Sequence, residues 1–175
     1  MSGIDVTKLS IQIVERLDEQ AFVDAWFYHL IDSKLSRLCE SPIEVMLGAA
    51  LLFLERFDGM PGFTLVLAGQ HELPHWPRES RLLIPQYKFE EYRVDWVYRD
   101  GDLLTFIECD GHDYHERTKA QAARDKQRDR KMQAAGHPVL RFTGSEIFKD
   151  PFDCARHVMQ FVNDRMVPPE HRASA

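Results

Sequence analysis

The stretch Tyr92-Arg93-Val94-Asp95-Trp96-Val97-Tyr98-Arg99-Asp100-Gly101-Asp102-Leu103-Leu104-Thr105-Phe106-Ile107-Glu108-Cys109-Asp110-Gly111 decides how the fold is read. Tyr92, Val94, Trp96 and Tyr98 alternate with Arg93, Asp95 and Val97, the period-two pattern of a strand with two different faces. Asp100-Gly101 is a two-residue hairpin signal, and Leu103 to Cys109 reads as the return strand. With that turn, Arg99 pairs with Asp102, Asp95 faces Phe106 and Glu108 faces Arg93. Asp95, Glu108 and Asp110 then share one face, and Asp95 and Glu108 are diagonal neighbours with Cα atoms roughly 7–8 Å apart.

Taken one at a time, these acids are ordinary: Asp95 an exposed strand residue, Glu108 and Asp110 at a loop edge. Gathered on one face they raise each other's pKa and oppose folding, a conflict that a divalent cation removes. Two carboxylates at this separation can share one ion, and an oxygen-only donor set favours Mg²⁺ or Mn²⁺ over zinc. Cys109 falls on the opposite face and is excluded as a ligand. His112 and His115 follow Asp110-Gly111, and a histidine there can serve as general base because its ordinary pKa lies near neutrality. His115 is preferred, although a lone histidine is also a common surface residue.

Working outward, Arg81 to Gln86 and Phe63 to Ala68 are candidate strands, with a polar loop from Gly69 to Ser80 that contains Pro74 and Pro77. Ser41-Pro42-Ile43-Glu44 is a helix start: Ser41 caps, Pro42 suits the first helical position and Glu44 completes a capping box. That helix runs to about Phe57. Before it, Thr7 to Leu38 reads as helical, with Ile11, Val14 and Leu17 and then Phe22, Trp26 and Leu30 at three- and four-residue spacing. After the hairpin come a helix from Thr118 to Ala135 that Gly136 can end, a strand from Pro138 to Phe142, a helical turn from Ser145 to Phe148, and a last helix from Pro151 to Val167. The expected organisation is a helical N-terminal extension over 1–40 packed on the core, a catalytic-type domain over 41–167 and a flexible tail over 168–175. No repeat or low-complexity tract interrupts it.

The 175 residues are 44% hydrophobic and 29% charged, which suits one globular domain and excludes a disordered chain. The net charge of −6 gives no general support for nucleic-acid binding. Its distribution does: Arg117 to Lys131 holds seven basic residues against two acids. Such a block is commonly a solvated helix face, but this one directly follows the carboxylates, so Lys119, Arg124 and Arg128 are candidate contacts to phosphates. Cys39, Cys109 and Cys154 have no paired spacing, which argues against a disulfide framework or a zinc ribbon and points to the reducing cytoplasm. No signal-peptide pattern follows Met1, and no apolar run approaches the roughly 20 residues of a membrane span.

As a set, Asp95, Glu108-Cys109-Asp110-Gly111, His115, Arg128-Asp129 and Gly136-His137-Pro138-Val139-Leu140-Arg141-Phe142-Thr143 resemble the PD-(D/E)XK nuclease superfamily. More narrowly, they resemble its bacterial branch of endonuclease domains related to very-short-patch-repair endonucleases. The resemblance covers roughly Ser41 to Val162. It implies an α/β fold, a restriction-endonuclease-like mixed sheet of four or five strands flanked by helices. It implies DNA phosphodiester hydrolysis with Mg²⁺ held by Asp95 and Glu108, Glu44 as an accessory acid, and Arg141 among the DNA contacts. The superfamily motif ends in lysine where this chain has Asp110, as the related branch also does. The lysine's role would then pass to His115, Lys119 or Arg128. The competing expectations are a nuclease-fold DNA-binding module without cleavage, and a protein-interaction subunit or homodimer built through the N-terminal helices. Trp76 and Tyr87 could stack on a base, or simply pack.

Overall fold

In the computed structural model the described residues are 29, 34–57, 65–111 and 119–166. The expected N-terminal helices, His112, His115 and the tail fall outside them. The helix predicted at Ser41-Pro42 forms as α1 (Pro42–Phe57). The strands are β1 (Leu65–Leu67), β2 (Arg81–Phe89), β3 (Tyr92–Asp100), β4 (Leu103–Asp110) and β5 (Val139–Thr143). The remaining helices are α2 (Lys119–Ala134), α3 (Gly144–Lys149) and α4 (Pro151–Met166). The segment expected to be a plain loop contains a 3₁₀ helix, Gln70–His75.

The five strands form one mixed sheet in the order β1-β2-β3-β4-β5. β1 runs parallel to β2 and β4 parallel to β5, while β2–β3 and β3–β4 are antiparallel. This is the expected restriction-endonuclease-like α/β architecture, with five strands rather than four. Two apolar layers sandwich the sheet. On one side Trp96, Tyr98 and Ile107 pack with Leu47 and Leu51 of α1 and Val158 of α4. On the other, Val97 and Phe106 pack with Met132 of α2. Each fully buried side chain of this size contributes about 1.5–3 kcal/mol, so helices on both faces are needed to hold the sheet.

The hairpin register differs from the expected one. Asp100 pairs with Leu103 and Trp96 with Ile107, so the turn residues are Gly101 and Asp102. Gly101 has φ +60°, the sign required at the first central position of a type II′ turn. The shift is two residues. It preserves which face each side chain occupies but brings Asp95 level with Glu108 rather than with Phe106. A second hairpin joins β2 to β3 through Glu90 and Glu91, with Phe89 paired to Tyr92 and Glu90 at φ +52°. It extends β2 three residues beyond the expected end at Gln86. Gly136, at φ +83°, closes α2 as predicted: its N–H donates to Gln133 O at 2.9 Å and the His137 N–H to Met132 O at 3.0 Å.

Two contacts fix α1 over the sheet. The Trp96 indole N–H donates to Glu44 O at 3.1 Å, and its ring lies where Gly48 has no side chain. Near the other end of the helix, buried Arg81 lies 3.5 Å from Glu55 and 2.8 Å from Asp100, and the Tyr98 hydroxyl donates to Glu55. No helix among the described residues is long and apolar enough to cross a membrane.

Candidate active site

Sheet register lines up a row of side chains across four strands. Pro85 pairs with Trp96 and Tyr87 with Val94, which sets Gln86 level with Asp95. The β3–β4 ladder stops at Trp96 and Ile107, one step before Asp95 and Glu108. Glu108 pairs with Arg141 of β5. Where the ladder stops, Asp95 Oδ2 accepts the Cys109 N–H at 2.7 Å, so the Asp95 side chain replaces the backbone acceptor. Cys109 itself packs into the layer beneath α1, on the face opposite Glu108 as expected.

The charges in this row are poorly hydrated. Glu108 and Glu44 are buried, while Asp95 and Asp110 are half-buried. Burial is the largest influence on Glu108, raising its pKa to about 8 against the lowering effect of Arg128, with Asp95 adding to the rise. Burial likewise lifts Asp95 to about 6, opposed by the Cys109 amide and reinforced by Glu44. Arg128 Nη2 lies 3.2 Å from Glu108 Oε2, and Glu108 Oε1 is buried with no hydrogen-bond partner among the described residues. Arg141 Nη1 meets both oxygens of Asp110, at 3.1 and 3.4 Å.

Glu44 is positioned from α1. Its carboxylate accepts from the Ser41 hydroxyl at 2.6 Å, from the Glu40 N–H at 3.1 Å and from Gln86 Nε2 at 2.6 Å. The Glu44 N–H in turn donates to Ser41 Oγ at 3.4 Å, the N-cap bond expected from sequence. Glu44 thus caps its helix and also faces the row, near enough to influence Asp95.

The structure therefore brings together Asp95, Glu108, Asp110 and Glu44, with Arg128 and Arg141 set against two of the acids. Lys119 and Arg124 belong to α2. His115 lies outside the described residues. Trp76 and Tyr87 are half-buried and pack against the layer beneath α2. Sequence reading missed Gln86: it lies in a strand with no motif around it, and its only local signal is the preceding Pro85.

A hard cation fits one feature here. Glu108 Oε1 is a desolvated oxygen with no donor among the described residues, level with a second carboxylate on the neighbouring strand. No group of three or more His, Cys, Asp or Glu able to hold a metal occurs among the described residues. An ion held by Asp95 and Glu108 would complete its shell with water and phosphate, the habit of Mg²⁺.

No curated protein and no solved structure shows a significant match to the chain. Residues 78–162, which span β2 to β5 and much of α4, match the restriction endonuclease-like family REase_MTES_1575, and this match supports a restriction-endonuclease-like nuclease domain around the carboxylate row.

Proposed function

We propose that the chain is a Mg²⁺- or Mn²⁺-dependent endonuclease of PD-(D/E)XK type, related to the very-short-patch-repair branch, that hydrolyses DNA phosphodiester bonds. The observation that carries this reading is Glu108: a buried carboxylate with Arg128 on one oxygen and, among the described residues, no hydrogen-bond partner on the other, level with Asp95. Asp95 and Glu108 would hold the cation, which when bound polarises the phosphate and makes water a better nucleophile. Glu44 shapes the site from α1. Arg128 and Arg141, released from Glu108 and Asp110 as DNA arrives, would meet phosphate oxygens, with Lys119 and Arg124 of α2 tracking the backbone. His115 would take the proton of the attacking water. The free cysteines suit a reducing cytoplasm.

One observation favours a second reading, a DNA-binding module without cleavage. Asp110 stands at the superfamily's lysine position, and Arg141 already holds it. Single-stranded, duplex, branched and mismatched DNA incubated with Mg²⁺, Mn²⁺ or EDTA separates the two. Cleavage that needs the cation supports the enzyme. A gel shift with no cleavage in any cation supports the module.

A further inference from the structure

Gln86 has φ +50° in the middle of β2; the other described residues with positive φ, Glu90, Gly101 and Gly136, sit in turns or at a helix end. A residue with a Cβ enters this left-handed region only at a cost in energy, so the surroundings must favour it there. β1 ends at Leu67, opposite Leu83, so past that point β2 is an edge among the described residues, where a proline and a distorted residue are tolerated.

The consequence of the kink can be read from the faces. Leu82 and Ile84 pack in the layer beneath α2, and so do Tyr87 and Phe89. An unbroken strand would put Ile84 and Tyr87 on opposite faces. β3 makes the same reversal: Trp96 and Tyr98 belong to the layer beneath α1, while Val94 and Val97 belong to the other. Both reversals bracket the level of Gln86 and Asp95. In a regular strand Gln86 would follow Leu82 and Ile84 toward α2. Instead its Nε2 donates to Glu44 on α1 at 2.6 Å. A carboxylate can only accept, so this fixes the amide's orientation. Among the described residues Gln86 Oε1 is left buried without a partner, the same condition as Glu108 Oε1 in the same row.

We infer that Gln86 is a positioning residue of the site. Its left-handed kink, level with Asp95, turns its amide to Glu44, ties this acid of α1 to the Asp95–Glu108 row, and leaves Oε1 as a neutral oxygen for the water shell of a divalent cation. The inference rests on the nuclease reading.

The test uses the full chain, with Mn²⁺ binding followed by the loss of the free-ion EPR signal in the absence of DNA, alongside kcat and KM for DNA cleavage. Gln86→Gly keeps the positive φ at no steric cost and deletes the side chain with its bond to Glu44, so it should still fold cooperatively, which its Tm checks. Its Mn²⁺ affinity should fall about 10–100-fold, the range for lost outer-sphere partners, with kcat reduced and KM little changed. Glu44→Gln should lose a similar amount, and the double variant should lose no more than either alone, because the two side chains act as one unit. Wild-type Mn²⁺ affinity and kcat in Gln86→Gly, or losses that add fully to those of Glu44→Gln, would overturn the inference and leave the nuclease reading intact. A wild-type chain that neither binds Mn²⁺ nor cleaves would overturn both.

Discussion

Arg128 Nη2 of α2 stands 3.2 Å from Glu108 Oε2 of β4, so the charge on the buried carboxylate of the row is balanced from the helix rather than from solvent. Burial still dominates, and Glu108 keeps its proton up to about pH 8. Arg128→Gln should therefore change little at pH 6 in EDTA, where Glu108 is protonated. At pH 9 the carboxyl must either ionise without its partner or hold a proton that the unfolded chain has released, and the variant should lose on the order of 1–3 kcal/mol, less than for a fully buried pair because Arg128 is partly exposed. Urea denaturation at the two pH values measures this. Equal losses at both would mean that Arg128 acts through packing and not through charge.

The pH dependence of the metal-free protein has a definite sign. The folded pKa values of Asp95 and Glu108 are raised, to about 6 and about 8, so the folded state binds more protons than the unfolded state between the ordinary carboxylate range and those values. Stability contributed by these groups is present at low pH and declines as pH rises through about 4 to 8. Asp95→Asn and Glu108→Gln should each flatten part of that decline, remain folded and abolish cleavage. Mn²⁺ affinity of the wild type should rise with pH over the same window, since the ion displaces the protons. Denaturation and Mn²⁺ titration across pH 5–9 would show it, and full activity in either variant would remove that residue from the site.

Gly48→Ala is a test of how α1 is seated. In an exposed helix interior this change stabilises by roughly 0.8–1 kcal/mol. Here the new Cβ would come 2.3 Å from Trp96 Cζ2 and 2.7 Å from Cη2, inside contact distance. The indole is tied to Glu44 O, so it cannot yield without moving α1. Overpacking should win, giving a net loss of about 1–3 kcal/mol and, because Glu44 rides on the same helix, a lower cleavage rate. A higher Tm would show that the helix gives way easily and does not hold the site.

His115 is the candidate for the water's proton. If it is the general base, His115→Ala should slow turnover by roughly 10²–10⁴-fold with little change in Mn²⁺ or DNA affinity. The wild-type rate should rise through the histidine titration near ~6.5, and the variant should lose that limb. His112→Ala is the control. Loss of Mn²⁺ binding in His115→Ala would make the histidine a ligand, and an unchanged rate beside an inactive Lys119→Ala would move the role to α2.

Much of the scaffold was legible from local chemistry. Alternation in Tyr92 to Cys109 carries its own face assignment, because side chains switch sides at every residue. That is why Asp95, Glu108 and Asp110 were found as a set. Ser41-Pro42 and Gly136 mark helix ends through the backbone groups they satisfy or the φ they permit, and both ends stand where expected. The hairpin register was not decided locally. Asp100-Gly101 and Gly101-Asp102 are both plausible turns one residue apart; moving from one to the other slips the strand pairing by two residues, which preserves the faces, so the pattern of apolar residues cannot tell them apart. The packed sheet chose the second and brought Asp95 level with Glu108. The β2–β3 hairpin had no glycine or asparagine to announce it, and Glu90 adopts positive φ within it. The kink at Gln86, the indole over Gly48, and Arg128 against Glu108 join residues that only folding brings near. Their energies depend on burial and on partners from other elements, quantities that a residue's sequence neighbours do not contain.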